Sequence, residues 1–142
     1  MRRRSSAPWL LSLALAAGCG SSTSGMRASD ASIERHLLRG VAQIRTTHDR
    51  TKLHAELRRT LANLRRDHGS TAAARRARRL AIEGFESTLR GIRSQLDFVE
   101  NDSGNVAAAT RDARRADRYF ALGADRLRAA GAALGVRIGR LS

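Results

Sequence analysis

Apolar residues recur along the chain at the three- and four-residue spacing of a helix, and this pattern predicts four helices. The first is a short helix over residues 29–45. If this helix continued, the next leucines would lie on nearly the opposite side from its apolar stripe, so a break is required. The second helix therefore covers residues 49–66. The apolar stripes of these two helices are Ile33, Leu37, Val41 and Ile44, then Leu53, Leu57, Leu61 and Leu64.

The third and fourth predicted helices are joined by a turn. The third helix covers residues 71–100, and residues 101–105 then read Asn-Asp-Ser-Gly-Asn, all of which favour turns. We therefore expect a helical hairpin, whose last helix ends near Gly131 or Gly135 and is followed by a tail. The fourth helix has a seam with alternating spacings of four and three, as in a coiled coil: Ala109, Ala113, Ala116, Phe120, Gly123, Leu127, Ala130 and Leu134.

These elements predict an all-α fold, namely an antiparallel helical bundle of three long helices plus a short N-terminal helix, over residues 29–142. We expect Phe85, Phe98 and Phe120 in the core. Many seam positions are alanine, so the neighbouring helix can approach closely. The seam could pair within the chain or between two copies, so self-association through it stays an alternative.

A further apolar run, at the N-terminus, belongs to none of these helices. It follows three arginines, Arg2 to Arg4, and ends in Leu15-Ala16-Ala17-Gly18-Cys19, which contains the only cysteine of the chain. A positive start followed by an apolar stretch too short to span a bilayer is typical of a secretory signal. The stretch that ends at Cys19 resembles the lipobox of bacterial lipoprotein precursors. The resemblance implies signal cleavage between Gly18 and Cys19 and acylation of the Cys19 thiol.

The lipobox resemblance also implies a division of the chain and a location. Residues 1–18 are the expected lipoprotein signal peptide, residues 19–28 the lipidated cysteine with a flexible tether, and residues 29–142 the bundle domain. The mature protein is then lipid-anchored at the cell membrane, on its extracytoplasmic side. The alternative is an ordinary secretory signal cut near Ala17. The mature part also resembles short helical lipoproteins of high-GC bacteria, but only in its pattern. This resemblance therefore identifies no site residues.

The charge of the chain is strongly positive, with 27 Lys and Arg against 13 Asp and Glu, a formal net charge of +14. Such a charge favours an anionic partner. Export leaves lipid head groups and wall polymers as the available anions, so we expect the membrane, an anionic lipid or a wall polymer as partners and no nucleic acid. The bias of a GC-rich coding sequence explains the arginine content equally well, and this alternative stays open.

Arginine clusters on the predicted helices are the one positive sign of a binding site. Several of these arginines are four residues apart, so each such pair shares a helix face. If the faces adjoin, they form a basic patch able to hold phosphate or carboxylate. The alternative is a solvated face that keeps an alanine-rich bundle soluble. The candidate anion-binding residues are Arg75, Arg79, Arg111, Arg114, Arg115 and Arg118.

No residue pattern predicts catalysis or metal binding. Two metal ligands on one helix need a spacing of three or four residues, whereas the four histidines are 12, 6 and 14 residues apart. The carboxylates lie among arginines at the spacing of exposed helical ion pairs. We therefore expect no catalytic residue, no metal and no cofactor, and a non-catalytic binding or envelope-structural role. An enzyme would need histidine and carboxylate brought together across helices.

Overall fold

The structure is a computed structural model that describes residues 21–100 and 105–141, with side chains described over 27–99 and 105–141. These residues contain no β-strand, and their four helices pack together. The prediction of an all-α fold is therefore confirmed. The helices are α1 (Ser21–Thr46), α2 (Arg50–Arg66), α3 (Ala72–Glu100) and α4 (Val106–Ala133).

The first helix differs from the short helix that we predicted. α1 has 26 residues, close to the 28 of α4, and α2 with 17 is the shortest. α1 begins at Ser21, inside the predicted tether, because the serine and glycine there lower helix propensity without preventing a helix, and no proline interrupts the segment. The domain division near residue 28 stays a prediction, and the signal peptide over residues 1–18 lies outside the described residues.

The chain breaks between α1 and α2 where the sequence predicts it. The Asp49 side chain caps α2, since its Oδ1 accepts a hydrogen bond from the Lys52 backbone N–H at 3.0 Å. Thr47 Oγ1 donates to Glu56 Oε2 at 3.1 Å. The second bond ties the residue that follows α1 to the second turn of α2.

The core consists mainly of the predicted apolar stripes. Phe85 is fully buried and its ring fills the space beside Gly40, where any side chain would overlap it. The prediction for Phe98 was wrong, because this residue lies near the end of α3, beyond the core, and is 38% exposed. The buried core residues are Ile33, Leu37, Val41, Leu53, Leu57, Leu61, Leu64, Ala74, Ala81, Phe85, Ile92, Leu127, Ala130 and Ile138.

Helices α3 and α4 form the most extensive helix pair of the molecule. Glycines let their backbones approach, since a Cβ on Gly123 would lie only 2.6 Å from Thr88 Oγ1 and 3.0 Å from the Gly84 carbonyl oxygen. A Cβ on Gly91 would lie 2.9 Å from the Phe120 ring. The seam of α4 thus packs against α3 of the same chain, and self-association stays a prediction. The turn predicted between α3 and α4 lies largely outside the described residues.

The chain beyond α4 folds back over the bundle. Gly135 has a φ of 72°, in the left-handed region, and Val136 donates its N–H to the Gly131 carbonyl at 2.9 Å. Many helices end in this way, with a glycine in the left-handed region just after the last turn. The predicted end of the fourth helix is therefore confirmed. Ile138 is buried, and Arg45 Nη2 donates to the Arg140 carbonyl at 3.4 Å. The predicted tail is therefore packed on the helices.

Candidate functional site

Four of the six candidate arginines lie on one face of α4, which we call the α4 arginine stripe. Arg111, Arg114, Arg115 and Arg118 follow the spacing of a single helix face, and all four are exposed. Arg115 Nη1 lies 3.8 Å from Asp112 Oδ1, and among the described side chains the other three form no ion pair. The stripe presents guanidinium groups along about 10 Å of helix.

The other two candidates, Arg75 and Arg79, are also exposed but lie elsewhere. Gly91 of α3 lies against Phe120 of α4, which places the α4 arginine stripe beside the C-terminal part of α3. The stripe is therefore roughly 20 Å or more from Arg79 at 1.5 Å per helical residue. The condition for one basic patch, that these faces adjoin, is therefore not met, because the two sets occupy opposite ends of a helical hairpin.

Some arginines near the α2–α3 turn form hydrogen bonds to backbone carbonyl groups of the fold. Arg75 Nη1 donates to the Ser70 carbonyl at 2.8 Å. Arg78, which was not among the candidates, donates from Nε to the Leu64 carbonyl and from Nη2 to the Arg65 carbonyl, both at 2.7 Å. The last carbonyl groups of a helix lack partners within the helix, so Arg78 satisfies two of them at the end of α2.

The turn between α2 and α3 is the most basic part of the described structure. Residues 65–79 contain six arginines and one carboxylate, whereas the described side chains of residues 93–99 and 105–118, around the α4 arginine stripe, include five arginines and three carboxylates. Carboxylates therefore offset more of the positive charge around the stripe than at the turn, and the turn is better suited to hold an anion. Among the described side chains, only Arg65 of this group pairs with a carboxylate, that of Glu86, at 2.7 Å. We call the group the turn arginines: Arg65, Arg66, Arg75, Arg76, Arg78 and Arg79.

The turn arginines lie at the end of the bundle where α1 begins. Ser29 Oγ of α1 donates to the His68 carbonyl in the turn. Asp30 Oδ1 accepts hydrogen bonds from the Ser70 backbone N–H and hydroxyl, both at 2.8 Å. Desolvation acts to raise the pKa of Asp30, but the hydrogen bonds from Ser70 and Thr71 outweigh it and hold this pKa below its ordinary value of 3.8. This end of the bundle is therefore tied together by polar contacts.

A histidine and a carboxylate also meet near this turn. His36 Nδ1 lies 2.7 Å from Asp67 Oδ2, and Ser32 Oγ donates to Asp67 Oδ1 at 3.1 Å. Nucleophilic catalysis by serine needs the histidine between serine and carboxylate, so that it can take the serine proton. Here the carboxylate lies between the two, so Ser32 is not activated. The sequence did not reveal this cluster because Asp67, just after α2, is more than 30 residues from Ser32 and His36 of α1.

A second arrangement that the sequence did not reveal is a polar groove between α1 and α2, with a volume of about 330 Å³. Arg39 and Arg59 line the groove, together with the Glu56 carboxylate. Thr60 Oγ1 donates to Gln43 Oε1 across it at 2.9 Å. One carboxylate offsets part of the charge of the two arginines, so this groove is less basic than the α2–α3 turn.

Comparisons with protein-family models, with curated protein sequences and with solved structures find no match to this chain. Among the described helices, none combines the length and the apolar character needed to cross a membrane. The part of the chain that the structure describes contains no group of three His, Cys, Asp or Glu side chains able to hold a metal ion. Gly18 and Cys19 lie outside the described residues, so cleavage and lipidation stay predictions.

Proposed function

We propose that the chain is a membrane-anchored surface lipoprotein whose basic helical bundle has a non-catalytic binding or envelope-structural role. Acylation of Cys19 after removal of residues 1–18 would hold it on the extracytoplasmic side of the membrane. One observation supports the proposal most: the most basic end of the bundle, formed by the turn arginines, is the end from which the chain leads back to Cys19.

The distance between the anchor and the turn arginines supports contact with lipid. α1 begins two residues after Cys19, and its residues 21–28 precede Ser29, which contacts the turn. These eight residues span about 12 Å at 1.5 Å per residue. An extended arginine side chain together with a Debye length of about 8 Å bridges this distance. The turn arginines would therefore interact electrostatically with the membrane surface that holds the anchor.

Anionic lipid head groups are the first expected partner. A basic residue near an anionic leaflet contributes about 1 kcal/mol to membrane binding. The alternative is an accessory module that binds a phosphate- or carboxylate-bearing polymer through the same arginines, because guanidinium groups bind both anions. Since carboxylates offset more of the positive charge around the α4 arginine stripe, we expect the turn arginines to contribute more to the binding of either partner.

Membrane fractionation of the full chain and the Cys19→Ser variant tests the anchor. We expect the native chain to be processed and to sediment with membranes until detergent is added. The Cys19→Ser chain should keep its N-terminal segment and show a larger mass. Equal processing of both chains, with both in the soluble fraction, would contradict the anchor.

Vesicle binding tests the turn arginines separately. In the Cys19→Ser background, one variant replaces Arg66, Arg76 and Arg79 with glutamine, and a matched control replaces three arginines of the α4 stripe. Three lost arginines correspond to about 3 kcal/mol, so affinity for phosphatidylglycerol vesicles should fall roughly 100-fold in the first variant. The control should lose far less. Equal losses would contradict a specific role of the turn arginines, and weakening only towards a soluble polyphosphate would favour the polymer alternative.

The finer arrangement of the bundle is also a proposal: each helix runs antiparallel to its neighbour along the chain. The contacts of His36 with Asp67 and of Thr47 with Glu56 support this arrangement, because Thr47 comes after His36 in the chain whereas Glu56 comes before Asp67. Spin labels on Arg93 and Arg118 should lie close together, and labels on Arg79 and Arg118 should lie about 20 Å farther apart. Equal distances would contradict the arrangement. Both measurements need the Cys19→Ser background.

A further inference from the structure

The polar groove between α1 and α2, which we call the α1–α2 groove, has a volume of about 330 Å³ and is lined by polar side chains. None of the turn arginines lines it, so it is separate from the surface that we propose to contact lipid. The lining side chains are Arg39 and Gln43 of α1 with Glu56, Arg59, Thr60 and Asn63 of α2.

Two polar contacts show which residues of α1 and α2 face each other. Thr60 Oγ1 donates to Gln43 Oε1 at 2.9 Å across the groove. Seven residues before Gln43, His36 Nδ1 lies 2.7 Å from Asp67 Oδ2, and Asp67 comes seven residues after Thr60. Each step back along α1 is therefore matched by an equal step forward along the chain at α2.

Arg39 lies between these two contacts, at a position where the polar contacts between the helices are interrupted. The shared register places Arg39 next to Asn63, which lines the same groove. Among the described groups, the Arg39 guanidinium forms no ion pair or hydrogen bond, and the Asn63 side-chain amide forms no hydrogen bond. Both side chains therefore keep their N–H donors available for a ligand.

Arg59 brings a second guanidinium group to the groove. It precedes Thr60 by one residue and Arg39 precedes Gln43 by four, so the two arginines lie on opposite sides of the Thr60–Gln43 hydrogen bond. Their separation along the helices is about five residues, or about 7.5 Å at 1.5 Å per residue. Both side chains are exposed, and Arg59 forms no ion pair among the described side chains. Two arginine side chains span this distance, so both can contact one anion between them.

The charge and the donors of the groove suit a phosphate group better than a carboxylate. Glu56 is the one acidic side chain that lines the groove, and it offsets one of the two positive charges. A phosphate monoester carries a charge of about −1.5 to −2 at pH 7 and has three acceptor oxygens, so it can bond to both guanidinium groups and to Asn63. A carboxylate has one charge and two oxygens and therefore gains less.

We infer that the α1–α2 groove binds a small, soluble phosphate monoester, with the phosphate group between Arg39 and Arg59 and a further hydrogen bond from Asn63. The rest of the ligand is polar, because the groove offers it no apolar side chain. Arg39 is ten residues beyond Ser29, or about 15 Å from the α2–α3 turn, which favours a soluble ligand over a lipid head group. The inference goes beyond the proposed function and does not depend on the lipid anchor.

Calorimetric titration of the full chain with glycerol 3-phosphate, acetate and glycerol tests the inference. We expect glycerol 3-phosphate to bind at least about tenfold more tightly than acetate, because it offers more charge and one more acceptor oxygen. Glycerol, which has no charge, should not bind. Equal affinities for glycerol 3-phosphate and acetate, or no binding of glycerol 3-phosphate at millimolar concentration, would overturn the inference.

Variants of exposed residues make the test specific without disturbing the core. Arg39→Gln and Arg59→Gln should each weaken glycerol 3-phosphate binding at least about tenfold, since each removes a charge-assisted hydrogen bond. The matched control Arg58→Gln removes the same charge from a neighbouring residue that does not line the groove, and it should change the affinity at most about twofold. Glu56→Gln should strengthen binding several-fold. Equal losses for Arg58→Gln and Arg59→Gln, or weaker binding by Glu56→Gln, would indicate unspecific attraction and overturn the inference.

A competition experiment tests the choice of a soluble ligand. Phosphatidic acid vesicles should leave the bound glycerol 3-phosphate in place, as should phosphatidylcholine vesicles, which carry no net charge. Displacement by phosphatidic acid vesicles alone would assign the phosphate group to a lipid head group and overturn this choice.

Discussion

Replacement of Gly123 by alanine should destabilise the protein, although alanine favours helices. The added Cβ would lie 3.0 Å from the Gly84 carbonyl oxygen, which can move only with the α3 backbone. It would lie 2.6 Å from Thr88 Oγ1, whose hydroxyl already donates to the Gly84 carbonyl at 2.9 Å. The new methyl group therefore requires α3 and α4 to separate or this hydrogen bond to break.

The expected size of the effect follows from three contributions. Overpacking costs about 1–3 kcal/mol, and the loss of the Thr88 hydrogen bond costs about 0.5–1.5 kcal/mol. The higher helix propensity of alanine stabilises the helix by about 1 kcal/mol relative to glycine, which offsets part of this cost. We therefore expect the free energy of unfolding of Gly123→Ala to fall by about 1–3 kcal/mol.

Urea unfolding followed by circular dichroism at the helical band measures this change. The matched control is Ala121→Gly, the reverse exchange on the exposed face of α4, which should cost about 1 kcal/mol through helix propensity alone. If Gly123→Ala instead stabilises the protein by about as much as the control destabilises it, the close approach of α3 and α4 at this position is refuted.

Three further substitutions test other parts of the account. Phe85→Ala removes the largest fully buried side chain and should lower the free energy of unfolding by about 3–5 kcal/mol in urea, and a loss below about 1 kcal/mol would argue against the described core. Gly135→Ala meets no atom within 4 Å, so its cost of about 1–2 kcal/mol should come only from the positive φ, and an unchanged thermal midpoint would contradict that backbone conformation. The lowered pKa of Asp30 means that its carboxylate stabilises the fold above about pH 3.8 and that this contribution is lost as the pH falls through the lower pKa of the folded state. Asp30→Asn should therefore be less stable near neutral pH and show less acid destabilisation below pH 3.8, and a native-like pH profile of stability would refute the role of Asp30.

The parts of the fold that depend on local signals could be predicted from the sequence. The apolar stripe from Leu53 to Leu64 is such a signal, and α2 begins one residue after the predicted start and ends at the predicted residue. The start of α1 could not be predicted, because the weak helix formers before Ser29 neither require nor forbid a helix. The exposure of Phe98 depends on where the core ends, which periodicity does not show.

Contacts between distant residues account for most of what the sequence did not reveal about the candidate site. His36 and Asp67 are 31 residues apart, and the Arg78 contacts to the end of α2 depend on how two helices cross. The hypothesis of one shared basic patch could have been rejected from the sequence alone. An antiparallel hairpin places the N-terminal parts of its two helices at opposite ends, so Arg79 and Arg111 could not share one patch once a hairpin was predicted.

The mass of the N-terminal peptide of the mature protein tests the central claim most directly. The account predicts a peptide that begins at Cys19 and is heavier than its sequence by the mass of the attached acyl chains. A peptide that begins at Met1, or an unmodified peptide that begins at another residue, would contradict the lipid anchor and the membrane location inferred from it.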